Sequence, residues 1–234
     1  MTDAEPSNHR TRVGRQRRER MRARLIEAAT LVFAEHGPDA AQIDHVIQQA
    51  GVSRGTFYNY FQSTDELLIE AKNALAAEMV IMVSEATDPS APPAQRLAAG
   101  LKAFIDLVQR HPLLLEFITR LGVRYFDAWG IIVPVSPEGE LSNALNENVA
   151  ETLSPGMAND ILQASTLMIL LRLMAGKKVD ITAFVSAMLR MLGHPTTEAM
   201  RIANRPYTPV KVPADSLISR SETARQTGVS SRPT

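Results

Sequence analysis

The stretch Ala50-Gly51-Val52-Ser53-Arg54-Gly55-Thr56-Phe57-Tyr58-Asn59-Tyr60-Phe61 decides how this chain is read. Leading into it, Ile43, Val46, Ile47 and Ala50 recur at i, i+3, i+4 and i+7, which predicts a short helix ending at Gly51. A tight turn needs a residue that tolerates positive φ, and glycine does so at little steric cost. Ser53 can cap a following helix, and Val52 is placed to plug the angle between the two. Two short helices joined in this way have the dimensions of a helix-turn-helix. On the helix predicted over 54–61, Phe57 and Phe61 point inward, which leaves Arg54, Gly55, Thr56, Tyr58, Asn59 and Tyr60 facing out. Two outward tyrosines make little sense for a purely structural element, whereas a duplex partner explains them. Phenol hydroxyls reach phosphates, while Arg, Thr and Asn side chains can read base edges in the major groove.

Outward from this motif the periodicity stays helical. Met21, Leu25, Ala28, Ala29, Val32 and Phe33 give one apolar face from Arg17 onward, stopped by Gly37-Pro38. Ser63 and Glu66 have the spacing of a reciprocal cap before Leu67, Leu68, Ala71, Leu75, Met79 and Met82, predicting a longer fourth helix to about Ala86. After the stiff connection Asp88–Pro93, helices are predicted over 94–110, 112–129, 138–153, 156–176 and 180–192. Ile131–Val135 is β-branched, but Pro134 inside it argues against a strand. The class is all-α. The expected division is a flexible basic arm (1–16), a DNA-binding head (17–80), a larger helical body (81–203) and a disordered Pro/Ser/Thr/Arg-rich tail (204–234).

Composition narrows the function. The chain has no net charge, yet its first 24 residues hold eight arginines against Asp3, Glu5 and Glu19, so that end carries +5 and the rest −5. A basic arm on a mildly acidic body suggests a polyanion partner for one end only. With no cysteine, disulfides, thiolate zinc sites and cysteine nucleophiles are excluded, and a reducing cytoplasm is the expected location. No apolar run reaches membrane-spanning length, and no apolar segment of signal-peptide type is present at the start. The five histidines, His9, His36, His45, His111 and His194, include no pair at metal-ligand spacing, so no metal site is expected. No Ser–His–Asp set, carboxylate pair, glycine-rich phosphate loop or dinucleotide fingerprint stands out, so neither catalysis nor a cofactor is expected.

Ala28-Ala29, Leu31, Phe33, Glu35 and Gly37, followed by the Ala50–Phe61 stretch and Leu67, resemble the tetracycline-repressor (TetR/AcrR) family of bacterial transcriptional regulators. The resemblance covers roughly residues 17–80. It implies an all-α homodimer in which a small DNA-binding head precedes a larger domain with a ligand pocket and a helix-pair dimer interface. Carried over by position, Arg54, Gly55 and Thr56 would lie toward bases, and Asn59, which suits either role, is grouped with them. Ser53, Tyr58 and Tyr60 would contact phosphates, joined by Gln42, Thr64, Arg17 and Arg18. Three positions depart from the family pattern: Ala41-Gln42 replaces the usual Thr, Ile47 a small residue, and Thr64 a frequent Lys. The arginine-rich N-terminus is expected to compensate for the lost anchorage.

The second half is read from composition. Leu114, Phe117, Ile118, Leu121, Tyr125, Phe126, Trp129 and Met168 are candidates to line a pocket for a small apolar or amphipathic ligand. Residues 161–175 are apolar on nearly every face and must be covered on both sides. Ile161, Met168, Leu171, Phe184, Met188 and Leu189 are therefore candidates for a two-fold interface. The expected function is a ligand-released repressor that binds a palindromic DNA operator as a homodimer. The competing readings are a non-specific DNA-organising protein, which needs no Arg54/Thr56/Asn59 reading surface, and a carrier or enzyme, which needs no basic arm.

Overall fold

The computed structural model describes residues 6–122, 143–145 and 153–230 of the 234. Among these residues the fold is all-α. Its helices are α1 (Pro6–His36), α2 (Ile43–Ala50), α3 (Arg54–Tyr58), α4 (Thr64–Glu85), α5 (Pro93–Arg110), α6 (Pro112–Leu121), α7 (Pro155–Met174), α8 (Ile181–Met191), α9 (Thr196–Ala203) and α10 (Leu217–Ser230). None of them is long and apolar enough to cross a membrane. The segment expected over 138–153, apart from 143–145 and 153, and the β-branched run Ile131–Val135 lie outside the described residues, as do Tyr125, Phe126 and Trp129.

The head is built by local chemistry. α1 buries Leu25, Ala29, Val32 and Phe33. It closes at Gly37, whose φ of +74° suits only glycine without strain. Val46 and Ala50 of α2 and the rings of Phe57 and Phe61 complete a core shared with α4. Ile47, larger than the residue the resemblance leads one to expect, is accommodated half-buried against this core, as is Val52. The Ser63 hydroxyl accepts the Glu66 N–H at 3.1 Å, while the Glu66 carboxylate takes the N–H of Gln62 at 2.6 Å, one residue earlier than a reciprocal box would.

The body continues this core rather than starting a separate one. Buried side chains of α5 and α6 (Phe104, Leu107, Leu114, Phe117, Ile118) belong to the same cluster as those of α1 and α4, and α6 packs directly on α1. A second cluster joins Leu97, Leu101, Leu162, Val185, Leu189 and Ile202.

Two expectations about the termini are corrected. Residues 6–16 of the arm are helical and not irregular: α1 starts at Pro6, eleven residues before the expected onset at Arg17. Arginine is a good helix former, so a solvent-facing helix can run on without the apolar face that periodicity detects. Nor are residues 204–230 an unstructured tail, for they strap the body and include α10. The Lys102 ammonium, buried under this strap, donates to the Ala203 carbonyl at 2.9 Å and to that of Arg205, and lies 5.6 Å from the Tyr207 ring. Burial lowers its pKa. Val210, Leu217, Ile218 and Ser221 are buried. Glu78 of α4 accepts the Leu217 N–H at 2.9 Å, His111 meets Glu222 at 2.8 Å, and Arg220 reaches Glu27 of α1 at 3.1 Å. One C-terminal helix thus touches α1, α4 and α6 together.

Candidate nucleic-acid interface

The turn between α2 and α3 is held as its residues require. Gly51 sits at φ +60°, and a Cβ there would also meet the Arg24 guanidinium at 3.0 Å. Ser53 caps α3, its hydroxyl accepting the Thr56 N–H at 3.1 Å and bonding the Thr56 hydroxyl at 2.9 Å. α3 is shorter than expected: it ends at Tyr58, and Asn59 is its cap, still in right-handed helical conformation. The chain keeps Phe57 and Phe61 fully inward, with ring centroids 6.2 Å apart.

The outward set largely faces solvent. Ser53, Arg54, Gly55, Tyr58 and Asn59 are exposed, while Thr56 and Tyr60 are half-buried. Tyr60 is therefore only partly outward, since it packs on the core with the Arg18 guanidinium 6.0 Å from its ring centroid. That cation ties α1 to the turn that follows α3. Arg17, Arg18, Thr56, Asn59 and Tyr60 line one open concavity of about 570 Å³, together with Gly14 and Met21. Gly14, Arg17, Arg18 and Met21 stand at i, i+3, i+4 and i+7, so one face of α1 forms a wall opposite α3. That spacing is present in the sequence, but reading residues 1–16 as irregular conceals it.

Charge is unevenly committed around this surface. Salt bridges engage Arg15 with Glu19 at 3.7 Å and Arg22 with Glu70, whereas none involves Arg17 or Arg18 among the described residues. Arg54 pairs with Asp44 of α2 at 2.7 Å, and this hydrogen bond raises its already high pKa, so it is a fixed cation. Sequence reasoning does not single out Asp44, because nothing local marks a pair spanning ten residues across a turn. Gln42 and Thr64 stand apart from the concavity. Gln42 is exposed at the start of α2, where its N–H donates to His45 Nδ1 at 3.2 Å, and Thr64 is half-buried at the first position of α4. The His45 ring stacks on His36 at 4.4 Å between centroids, closing the α1–α2 corner.

In the body, Leu114, Phe117, Ile118 and Leu121 are buried in the main cluster. Met168 is 56% exposed, so its assignment to the pocket is withdrawn; on α7 it faces away from the protomer's own core. Leu171 is also exposed, with Ile161, Phe184 and Met188 half-buried. Leu189 is fully buried among Leu97, Leu101 and Val185, so it cannot reach a second copy, and its place in the interface is withdrawn too.

Residues 25–71 match the family model for bacterial regulatory proteins of the tetR family. An uncharacterised helix-turn-helix transcriptional regulator of Bacillus subtilis, YhgD, is 33% identical over 92 residues, covering 39% of this chain and 48% of that protein. The transcriptional repressor KstR of Mycobacterium tuberculosis is 30% identical over 111 residues, 47% of this chain and 50% of that one. The chain thus spans about half the length of the curated relatives it matches. Over a longer span it is similar to the crystal structure of RolR without ligand, at 25% identity and a TM-score of 0.65, covering 81% of this chain and all of that one. RolR complexed with resorcinol gives 26% identity and a TM-score of 0.63, covering 84% of this chain and 99% of that one. Residues 25–71 thus form a head of the kind found in bacterial regulatory proteins of the tetR family, set on a helical body similar to that of RolR.

Proposed function

We propose that the protein is a ligand-responsive transcriptional repressor that binds a palindromic DNA operator as a homodimer. The observation that carries this is the concavity joining Arg17 and Arg18 of α1 to Thr56, Asn59 and Tyr60, with Arg54 and Tyr58 exposed beside it. A groove lined by arginines, an amide and a hydroxyl matches a duplex edge, with phosphates meeting the cations and bases the small polar groups. Arg54, Gly55, Thr56 and Asn59 read bases in this account. Ser53, Tyr58, Tyr60, Arg17 and Arg18 hold phosphates, with Gln42 and Thr64 at the margins.

Dimerisation is assigned to α7 and α8. Met157, Ile161, Ala164, Met168 and Leu171 alternate at four- and three-residue steps along α7, and Met157, Met168 and Leu171 are 54%, 56% and 39% exposed. An apolar stripe of that period is the seam of a helix pair, and Phe184 and Met188 of α8 extend it. The ligand is assigned to Leu114, Phe117, Ile118 and Leu121. A small apolar or amphipathic molecule suits an apolar lining of this kind, and RolR, 26% identical, is known in complex with resorcinol.

Selection of bound duplexes from random DNA by the purified protein tests the reading. The expected product is a palindrome whose half-sites lie about one helical turn apart, roughly 34–36 Å. Recovery of unenriched DNA would point instead to a non-specific binder.

A further inference from the structure

We infer that Asp44 is a positioning residue for Arg54, and that it sets the margin between operator and non-cognate DNA. The inference rests on α3 being the base-reading element and adds to it a group on α2 that need not touch DNA.

Asp44 Oδ1 lies 2.7 Å from Arg54 Nη2, the two side chains being 63% and 56% exposed. The fold does not depend on this contact. α2 and α3 are joined by Val46, Ala50 and Phe57 in the core and by the Gly51 turn, and an exposed ion pair adds little to stability. Yet placing a carboxylate on the face that is to meet phosphates opposes every duplex alike. Its presence there makes sense if it returns something sequence-dependent.

The guanidinium supplies that. It is planar with five N–H donors, and reading a guanine O6/N7 edge uses two of them in one plane. A carboxylate bound to one Nη fixes the plane of the fork and restricts a side chain that otherwise loses much rotamer freedom on binding. Thr56 is held in the same way, its hydroxyl bonded to Ser53 at 2.9 Å, so neighbouring reading groups share one design. Asp44 therefore repels every duplex, and its orienting of Arg54 offsets that cost only where Arg54 finds its base. Specificity is a difference of affinities, and this arrangement acts on both of its terms.

The test is a double-mutant cycle with full-length protein, Asp44→Asn, Arg54→Ala and both together. Each is titrated at one salt concentration against a duplex selected by the wild type and a scrambled duplex of the same composition. The two side chains are exposed, so the melting temperature reports whether a variant has lost its fold. Asp44→Asn is expected to tighten binding to the scrambled duplex and to lower the operator-to-scrambled ratio about tenfold. In the Arg54→Ala background the same substitution is expected to change that ratio by less than about twofold. An unchanged ratio in Asp44→Asn overturns the inference. So does a reduction that persists without Arg54, since Asp44 would then be touching DNA on its own account. Failure of the underlying reading is seen separately, as Arg54→Ala alone leaving the ratio at its wild-type value.

Discussion

Gly51 concentrates two demands in one residue: its φ of +60° ends α2, and a Cβ there would stand 3.0 Å from the Arg24 guanidinium. Left-handed backbone costs a non-glycine residue about 1–2 kcal/mol, while the arginine tip can move aside cheaply. Gly51→Ala is therefore expected to lower unfolding stability by about 1–2 kcal/mol in a denaturant titration, with the change confined to the head's geometry. No measurable decrease would mean that the turn adopts another path. Phe57 and Tyr58 show the same economy in side chains, for adjacent residues of one short helix send one ring wholly inward and leave the other half exposed. The motif is readable at this scale because its constraints are local. A cap, a left-handed turn and two inward rings within twelve residues leave few other arrangements. The Asp44–Arg54 pair is not readable, since no spacing rule links positions on opposite sides of a turn.

At the scale of elements, legibility follows apolar periodicity and fails without it. α4, α5 and α8 lie close to the bounds their sequence predicts because each buries a repeating face. Residues 11–20 of α1 are all exposed, and their helical state rests on propensity rather than a stripe. α10 does carry a face in Leu217, Ile218 and Ser221, but it is sparse and set among serines, threonines and arginines. α9 offers only Ala199, Ile202 and Ala203, too small a signal to separate from a loop. The strap and α10 now make a sharp prediction. Ile218 is fully buried, so Ile218→Ala is expected to cost about 2–5 kcal/mol of stability in chemical denaturation. A free tail would register nothing. The helix also bridges the head, through Arg220 and Glu27, to the body, through His111 and Glu222, so it is positioned to carry strain between them.

For the whole molecule, the proposed palindromic operator calls for two heads at a fixed separation, and we assign the second copy to the outer face of α7. Leu171→Glu puts a charge at the C-terminal end of that seam, at a residue that is 39% exposed. It is expected to shift sedimentation from dimer to folded monomer and to abolish tight operator binding. A variant that still sediments as a dimer would move the interface elsewhere. Leu189→Glu is no substitute test, because it would bury a charge inside one protomer. Coupling to ligand has a short mechanical route. α6 carries the candidate pocket residues and packs on α1, with Arg120 Cβ 3.9 Å from where a Cβ on Gly37 would stand. In the proposed ligand response, a molecule that displaces α6 would move the head with it, and a differential affinity of about 1–3 kcal/mol between the two states is the usual scale of such coupling.

Repeating the random-duplex selection with Arg54→Ala and Arg17→Ala proteins tests the central claim most directly, that α3 reads bases while α1 holds the backbone. Arg54→Ala is expected to return a palindrome with information missing at one position of each half-site, where discrimination between bases weakens about tenfold. Arg17→Ala is expected to return the wild-type palindrome with weaker binding and a salt slope flatter by about 0.9 for each phosphate it no longer neutralises. If Arg54→Ala selects the same sequence as the wild type, with no position relaxed, α3 does not read the operator and the account is wrong.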